Sequence, residues 1–174
     1  MHVSVRIVER VWNLRSKRCF AVISAAFAAA RGRFGLRIIE FAILGNHLHL
    51  IVEADSSEAL SRGMQGLGVR IAKNLNRLMR SRGPVFSDHY HASTLDTPTR
   101  LVNAIAYVLG NAAHHYGTAS GPDPFSSAAC DRALLLCAGV SWLVRIGWRR
   151  APRIPPAFPS LLGSAPLDSP RAAA

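Results

Sequence analysis

The sequence has little of what marks secreted, membrane-spanning or zinc-binding proteins. No apolar run reaches the ~20 residues that a membrane-spanning helix needs. The opening residues, MHVSVR, lack the basic segment and apolar block of a secretory leader. Only three cysteines are present, and their spacing matches neither a zinc knuckle nor a redox pair. We therefore expect a cytoplasmic protein with reduced thiols and no membrane partner.

Acidic residues are also scarce. The 174 residues include 10 Asp and Glu against 21 Lys and Arg, which gives a formal net charge of +11. Only Lys17 and Lys73 are lysine. A GC-rich genome would explain the preference for arginine over lysine, but not the excess of basic over acidic residues. Because guanidinium groups make bidentate contacts with phosphate, the composition predicts an anionic polymer as the partner.

One short stretch, GNHLHLIVE at 45–53, combines a turn pair with strict alternation. On a strand, alternation places His47 and His49 on one face and the leucines beside them on the other. Two imidazoles two residues apart can share one divalent cation. A lone His-x-His is more often a pair of ordinary polar residues on a solvated sheet face. The histidines are therefore a candidate metal site whose status depends on the residues that accompany them.

The remaining periodicities predict an α+β domain. Strand-like and helix-like segments alternate in the order β-α-β-β-α-β-α, with segments at 2–8, 15–34, 37–44, 47–53, 57–80, 85–95 and 99–115. Ser57 is the predicted cap of the second helix, and Gly45-Asn46 joins two strands as a hairpin. This order is a ferredoxin-like, split βαβ arrangement with one added C-terminal helix. We expect two helices on one sheet face and a free second face, toward which the histidines point.

The chain changes character after residue 117. We predict a catalytic domain at 1–117, followed by a linker and C-terminal extension at 118–174. The linker is centred on the sequence GPDP at 121–124. Residues 132–148 have helical character, whereas 154–174 are rich in Pro, Ser and Ala and are expected to be poorly ordered.

Two polar helix stripes contain candidate binding and catalytic residues. The helix at 57–80 has a stripe of positively charged residues: Arg70, Lys73, Arg77 and Arg80. Such a run is ordinarily a solvated face, but because its charges are all of one sign we treat it as a candidate DNA contact. The helix at 99–115 has a polar stripe opposite its apolar one: Arg100, Asn103, Tyr107, Asn111 and His114. We include Arg100 among the candidate DNA contacts.

Tyr107 is the candidate nucleophile. A tyrosine on a polar stripe is more often an amphipathic surface residue. Here it accompanies a two-histidine metal position, Asn111 one turn further on, and a basic surface, which together favour phosphodiester chemistry. A phenol of pKa ~10 attacks weakly until a cation polarises the phosphate. The competing Tyr90 lies between two histidines of a predicted strand, so its side chain should point inward.

Four segments together resemble the REP-associated tyrosine transposases, a single-tyrosine branch of the histidine–hydrophobe–histidine (HUH) endonucleases. They are GNHLHLIVE (45–53), RGMQGL (62–67), VF-x-D-x-YH (85–91) and YVL-x-N (107–111), and the resemblance extends over residues 2–128. It implies a Mg²⁺ or Mn²⁺ ion on His47 and His49, assisted by Asn111. It also implies that Tyr107 attacks single-stranded DNA beside a hairpin, giving a 5′-phosphotyrosine and a free 3′-OH.

Two other functions are compatible with the same residues. A non-catalytic domain could bind RNA or DNA through its basic surface, although its free sheet face should then carry aromatic side chains. A metal-dependent hydrolase could add His89 and His91 to the two strand histidines and hold zinc, which would activate water without Tyr107. The sequence is equally compatible with a monomer and a homodimer.

Overall fold

The computed structural model describes residues 1–117 and 121–155. The main elements are β1 (His2–Arg6), α1 (Lys17–Ala30), β2 (Leu36–Ile43), β3 (His47–Ala54), α2 (Ser57–Met79), β4 (His91–Ser93) and α3 (Pro98–Tyr116). The strands form one antiparallel sheet in the order β2-β3-β1-β4. The predicted α+β class and split βαβ order are therefore confirmed.

Helix ends follow from local capping. The hydroxyl of Ser56 accepts a hydrogen bond from the amide of Ala59 at 3.1 Å, so Ser56 caps α2 and the prediction of Ser57 was wrong by one residue. Ser56 has the extended backbone that a cap requires, whereas Ser57 already belongs to the first turn. Thr97 caps α3 in the same way, and Pro98 occupies its first helical position.

One face of the sheet packs against α1 and α2. Leu48, Leu50 and Val52 of β3 belong to this core, as the alternation predicts. Close approach of α2 to the sheet depends on Gly63, because a Cβ at that position would lie 2.5 Å from Cβ of Leu36. The main core therefore fixes which face of β3 remains for its histidines.

The second face is covered by α3, so the expectation that it is free was wrong. The apolar stripe of this helix packs there with three residues of the sheet: Ile39, Ala42 and Ile51. A register shift in β2 between Ile38 and Glu40 reverses the alternation of the strand, so that Phe41 lies in the main core with Ile38, and Ala42 lies in the second cluster with Ile39. Burial of apolar surface on both sides of the sheet is the reason that α3 docks.

Residues after 120 run along the outer edge of β2. The amide of Ser127 donates to the carbonyl of Phe41 at 2.9 Å, and the amide of Cys137 donates to the carbonyl of Ile38 at 2.8 Å. Glu40 is completely buried at this edge, where both of its carboxylate oxygens bind the guanidinium of Arg132, at 2.5 and 3.0 Å. This segment pairs the edge strand, whose backbone groups would otherwise be open to solvent.

The predicted helical stretch at 132–148 is present as two four-residue helices, α4 (Arg132–Leu135) and α5 (Trp142–Arg145), with a 3₁₀ turn at Gly147–Arg150. The predicted poor order of 154–174 falls, apart from its first two residues, outside the described residues. Within the described ranges, no helix is both long and apolar enough to cross a membrane.

Candidate active site on the second face of the sheet

The two histidines of β3 lie together on the second face, as predicted. Their ring centroids are 4.8 Å apart. His49 is only 6% exposed, and its Nε2 atom has no hydrogen-bond partner among the described residues. His47 is half-buried, and its Nδ1 atom lies 2.7 Å from Oδ1 of Asn46 in the preceding turn. The alternation of the strand therefore produces an imidazole pair with at least one free ring nitrogen.

A third imidazole, that of His2, completes the group and was missed by sequence reasoning. Because β1 pairs with β3, Ser4 lies opposite His49 and Arg6 lies opposite His47. Nε2 of His2 and Nδ1 of His49 share a hydrogen bond of 3.1 Å, and the two rings are stacked with centroids 5.2 Å apart. The inward alternation of Val3, Val5 and Ile7 was the available signal, since it leaves the even-numbered residues on the site face.

The environment keeps these imidazoles neutral. Burial is the main cause that lowers the pKa of His49 from 6.5 to about 4, and neighbouring His47, His2 and His115 lower it further. Burial also lowers the pKa of His47, with smaller contributions from His115 and Arg6. A neutral imidazole has a free lone pair, which is the form that binds a metal ion.

Tyr107 lies beside the histidines on α3. Its ring centroid is 5.5 Å from that of His49 and 5.9 Å from that of His2, both in edge-to-face geometry. The side chain is 53% exposed, so the phenol is open to solvent although its ring contacts the site. The structure thus brings together the two histidines and the tyrosine that the sequence identified.

Asn111 lies one turn after Tyr107, and it is buried, although the sequence predicts it on the polar stripe opposite the apolar one. It is only 3% exposed, and its Nδ2 atom has no hydrogen-bond partner in the part of the chain that the structure describes. The reason is the docking of α3 on the sheet, which buries the side of the helix between its apolar stripe and Tyr107. Its amide is therefore a buried polar group one turn after Tyr107 on the same helix.

The C-terminal end of α3 contacts the turn that precedes the histidine strand. Oη of Tyr116 accepts a hydrogen bond of 2.8 Å from the amide of Gly45, and the guanidinium of Arg15 lies 4.6 Å from the Tyr116 ring centroid. His115 lies near the site, with its ring centroid 6.1 Å from that of His47. These contacts hold the helix with the nucleophile candidate against the strand with the histidines.

The four-histidine zinc site is not formed. His91 of β4 pairs with Ser4 of β1, and Ser4 pairs with His49 of β3. His91 and His49 are therefore two strands apart, which is roughly 10 Å between their backbones. His89 is fully exposed, with a 101% relative side-chain area. No group of three or more His, Cys, Asp or Glu side chains is placed to hold one metal ion in residues 1–117 and 121–155. Tyr90 packs against the main core, as predicted.

The candidate DNA contacts are not part of this cluster. All four members of the basic stripe are exposed, three on α2 and Arg80 at its C-terminal cap, and α2 packs on the opposite face of the sheet from the histidines. Arg100, at the start of α3, is ion-paired with Asp96 at 3.0 Å. Arg6 is an exposed cation that pairs directly with His47 across β1 and β3, and sequence reasoning did not single it out.

Comparisons with known proteins agree with this fold. A solved structure of a REP-associated tyrosine transposase bound to a REP hairpin matches with a TM-score of 0.56 and 16% identity, over 80% of this chain and 84% of that one. A putative transposase from Deinococcus radiodurans R1 matches with a TM-score of 0.46 and 14% identity, over 57% and 81%. No curated protein sequence matches the chain.

The sequence model of one family covers the greater part of the chain. The model described as "Transposase IS200 like" matches residues 1–110, a range that contains the whole sheet, both strand histidines and Tyr107. It ends one residue before Asn111. The protein is therefore a member of the IS200-like transposase family.

Proposed function

We propose that the protein is a transposase that cleaves and rejoins single-stranded DNA beside a hairpin, with Tyr107 as the nucleophile. The observation that carries the proposal is the contact between the half-exposed phenol of Tyr107 and the neutral, buried imidazole of His49, whose ring centroids are 5.5 Å apart. Membership of a transposase family supports the reaction class. The similar fold of a protein bound to a REP hairpin supports hairpin DNA as the substrate.

We assign His47, His49 and Asn111 to a Mg²⁺ or Mn²⁺ site. Buried polar atoms normally have partners, yet Nε2 of His49 and Nδ2 of Asn111 have none among the described residues. A bound cation would satisfy Nε2 of His49 directly, and rotation of the Asn111 amide would offer its oxygen to a cation. When bound, the cation would polarise the phosphate and stabilise its developing charge.

His2 is proposed to orient His49. Its hydrogen bond to Nδ1 fixes the ring of His49 and leaves Nε2 as the free nitrogen. Hydrogen bonds of this kind to the second nitrogen of a metal-binding histidine hold the ring in position and set its tautomer. His2 is therefore a positioning residue, because it acts through His49 and not on the substrate.

The nucleophilic step follows from the position of Tyr107. Its Oη attacks the phosphorus, the bond from phosphorus to the 3′ oxygen of the preceding nucleotide breaks, and a 5′-phosphotyrosine forms. The phenol proton leaves to solvent through the exposed side of the ring, and the departing 3′ oxygen takes up a proton. Attack of a 3′-OH on the phosphotyrosine reverses these bond changes and joins the strands.

The basic surface is proposed to hold the DNA. Arg6 lies next to the site, Arg100 lies at the start of the nucleophile's helix, and the α2 stripe extends the charge to the other face of the sheet. Contacts to phosphate of this kind give affinity without sequence information. We therefore assign them to positioning of the DNA rather than to recognition of its sequence.

The test is covalent capture of DNA. Incubation with a labelled single-stranded hairpin and Mn²⁺ should give a protein–DNA band that survives denaturation, and Tyr107→Phe should bind DNA but give no band. Tyr90→Phe is the control variant, since Tyr90 packs against the main core, on the opposite face of the sheet from the histidines. It should keep the band.

A band that persists in Tyr107→Phe would refute the assignment of the nucleophile. Clean hydrolysis without a band in any variant would point to attack by water. DNA binding with neither band nor cleavage would leave a non-catalytic binding domain.

A further inference from the structure

A second basic surface lies in the C-terminal part of the chain, beyond the residues matched by the family model. Residues 140–155 contain four arginines and no acidic residue. None of these arginines forms a salt bridge with any residue that the structure describes. We call it the Trp142 surface and define it by its exposed residues: Trp142, Ile146, Arg145, Arg149, Arg150 and Arg153.

The indole at its centre is exposed and held in place. Trp142 is 50% exposed, next to Ile146 at 51%. The guanidinium of Arg150 lies 5.1 Å from the Trp142 ring centroid. On another side, the ring lies against the backbone at Gly147, where a Cβ would come within 2.5 Å of it. An exposed aromatic ring with a guanidinium beside it, on a segment with three further exposed arginines, suits the stacking of a nucleobase while the cations contact phosphate.

The surface is rigidly connected to α3. Trp148 of the 3₁₀ turn is 7% exposed and belongs to the apolar cluster that includes Val102 and Ile105 of α3. At its other end, the carboxylate of Glu53 accepts hydrogen bonds from the amides of Val140 and Ser141, at 2.7 and 3.1 Å. The Trp142 surface therefore keeps a fixed position relative to the helix that carries Tyr107.

Helix α3 separates this surface from the candidate nucleophile. Val102 and Leu109 lie in or against the cluster of Trp148, and at 3.6 residues per turn they point roughly 150° away from Tyr107. The two sites thus occupy opposite flanks of one helix, whose diameter with side chains is about 10–12 Å. A few nucleotides of extended single strand suffice to cross it.

We propose that the Trp142 surface binds single-stranded DNA, with one base stacked on Trp142 and phosphates on the surrounding arginines. The inference rests on the proposed function, since the strand it holds is the single-stranded flank of the hairpin that Tyr107 attacks. The positive charge of the surface favours an anionic partner. An isolated run of cations repels itself unless something negative is bound, and guanidinium groups suit phosphate. The exposed indole favours unpaired bases over a duplex, whose bases are already stacked.

The experiment compares two labelled DNA hairpins, one with a single-stranded extension and one without. Dissociation constants are measured by fluorescence anisotropy across a series of salt concentrations. Trp142→Ala should bind the extended hairpin about tenfold more weakly and the blunt hairpin unchanged, as expected for loss of one stacked base. The triple variant Arg145→Gln, Arg149→Gln, Arg150→Gln should reduce the log–log salt slope by about 2 for the extended hairpin, at about 0.7 per phosphate on a single strand.

The matched control is Trp12→Ala. Trp12 is also an exposed tryptophan, at 43%, with the guanidinium of Arg18 5.2 Å from its ring centroid, but it lies before α1 and away from the Trp142 surface. It should bind both hairpins like the wild type. Thermal melts of all variants establish that they are folded.

Equal affinity of Trp142→Ala, the triple variant and the wild type for the extended hairpin would overturn the proposal. The same variants are also tested for binding to phosphatidylglycerol vesicles. Variants that lose vesicle binding but keep full DNA binding would identify a lipid surface and would also overturn the proposal. The covalent band separates the two hypotheses. If the band forms normally and the variants bind the extension normally, only this inference fails. If no band forms but the variants lose the extension, the proposed cleavage fails and the binding surface stands.

Discussion

Burial of His49 should make the stability of the folded protein strongly dependent on pH. The pKa of this imidazole is about 4 in the folded protein and 6.5 when exposed. Between these values the unfolded chain binds a proton that the folded protein does not, so the free energy of unfolding falls as the pH falls from 6.5 toward 4. Because one pKa unit corresponds to about 1.4 kcal/mol, His49 alone should account for a loss of about 2 kcal/mol between pH 7 and pH 4.5.

The measurement is urea unfolding followed by circular dichroism at pH 7, 5.5 and 4.5, with EDTA present to remove metal ions. His49→Gln removes the titrating group and keeps a polar side chain at the position. The variant should lose about 2 kcal/mol less than the wild type over this range. His2 and His47 also have lowered pKa values, so some pH dependence of the same sign should remain in the variant.

His91→Gln is the matched control, since His91 is an exposed histidine of the same sheet. It should follow the wild type at every pH. Identical pH dependence of the wild type and His49→Gln would show that His49 is not buried against His2 and His47, and the reasoning that gives it a free lone pair at pH 7 would be refuted.

Three further predictions concern separate parts of the molecule. His2→Ala should weaken Mn²⁺ binding, measured by calorimetry, about 10- to 100-fold without lowering the melting temperature appreciably, and His2→Asn should recover part of the affinity; unchanged affinity would remove its positioning role. Arg132→Ala should lower the free energy of unfolding by about 3 kcal/mol because it leaves the carboxylate of Glu40 buried without its cation. Adding Glu40→Gln should restore part of that loss in urea unfolding, and no recovery would contradict the ion-pair explanation. Glutamine at all four positions of the basic stripe (Arg70, Lys73, Arg77 and Arg80) should reduce the salt slope of DNA binding by something under about 1 per lost phosphate contact. An unchanged slope would show that the stripe is only a solvated face.

The candidate site was predictable as far as it depends on local periodicity. Alternation in 47–53 is enough to place His47 and His49 on one face, because successive side chains of any strand point to opposite sides. Spacing in 99–115 likewise predicts a helix with Tyr107 outside its apolar stripe, since the 3.6-residue period is a property of the helix itself. Both predictions were confirmed in the structure.

Contacts between distant segments were not predictable in this way. The hydrogen bond between His2 and His49 joins residues 47 positions apart and depends on the register of β1 against β3. The pair of Glu40 and Arg132 joins residues 92 positions apart. The periodicity of one segment does not predict its register against another segment, because the register is decided when two separately formed elements bury their apolar faces together.

The sequence by itself determined the elements, their order and the side of each element on which the histidines, Tyr107 and the basic stripe lie. Only the tertiary structure decided that α3 covers the second face, that Asn111 is buried and that the basic stripe is on the far side of the sheet from the histidines. The physical reason is that a strand or a helix sets the direction of its own side chains, whereas burial, and with it the pKa of His49, depends on which other apolar surface docks against that element.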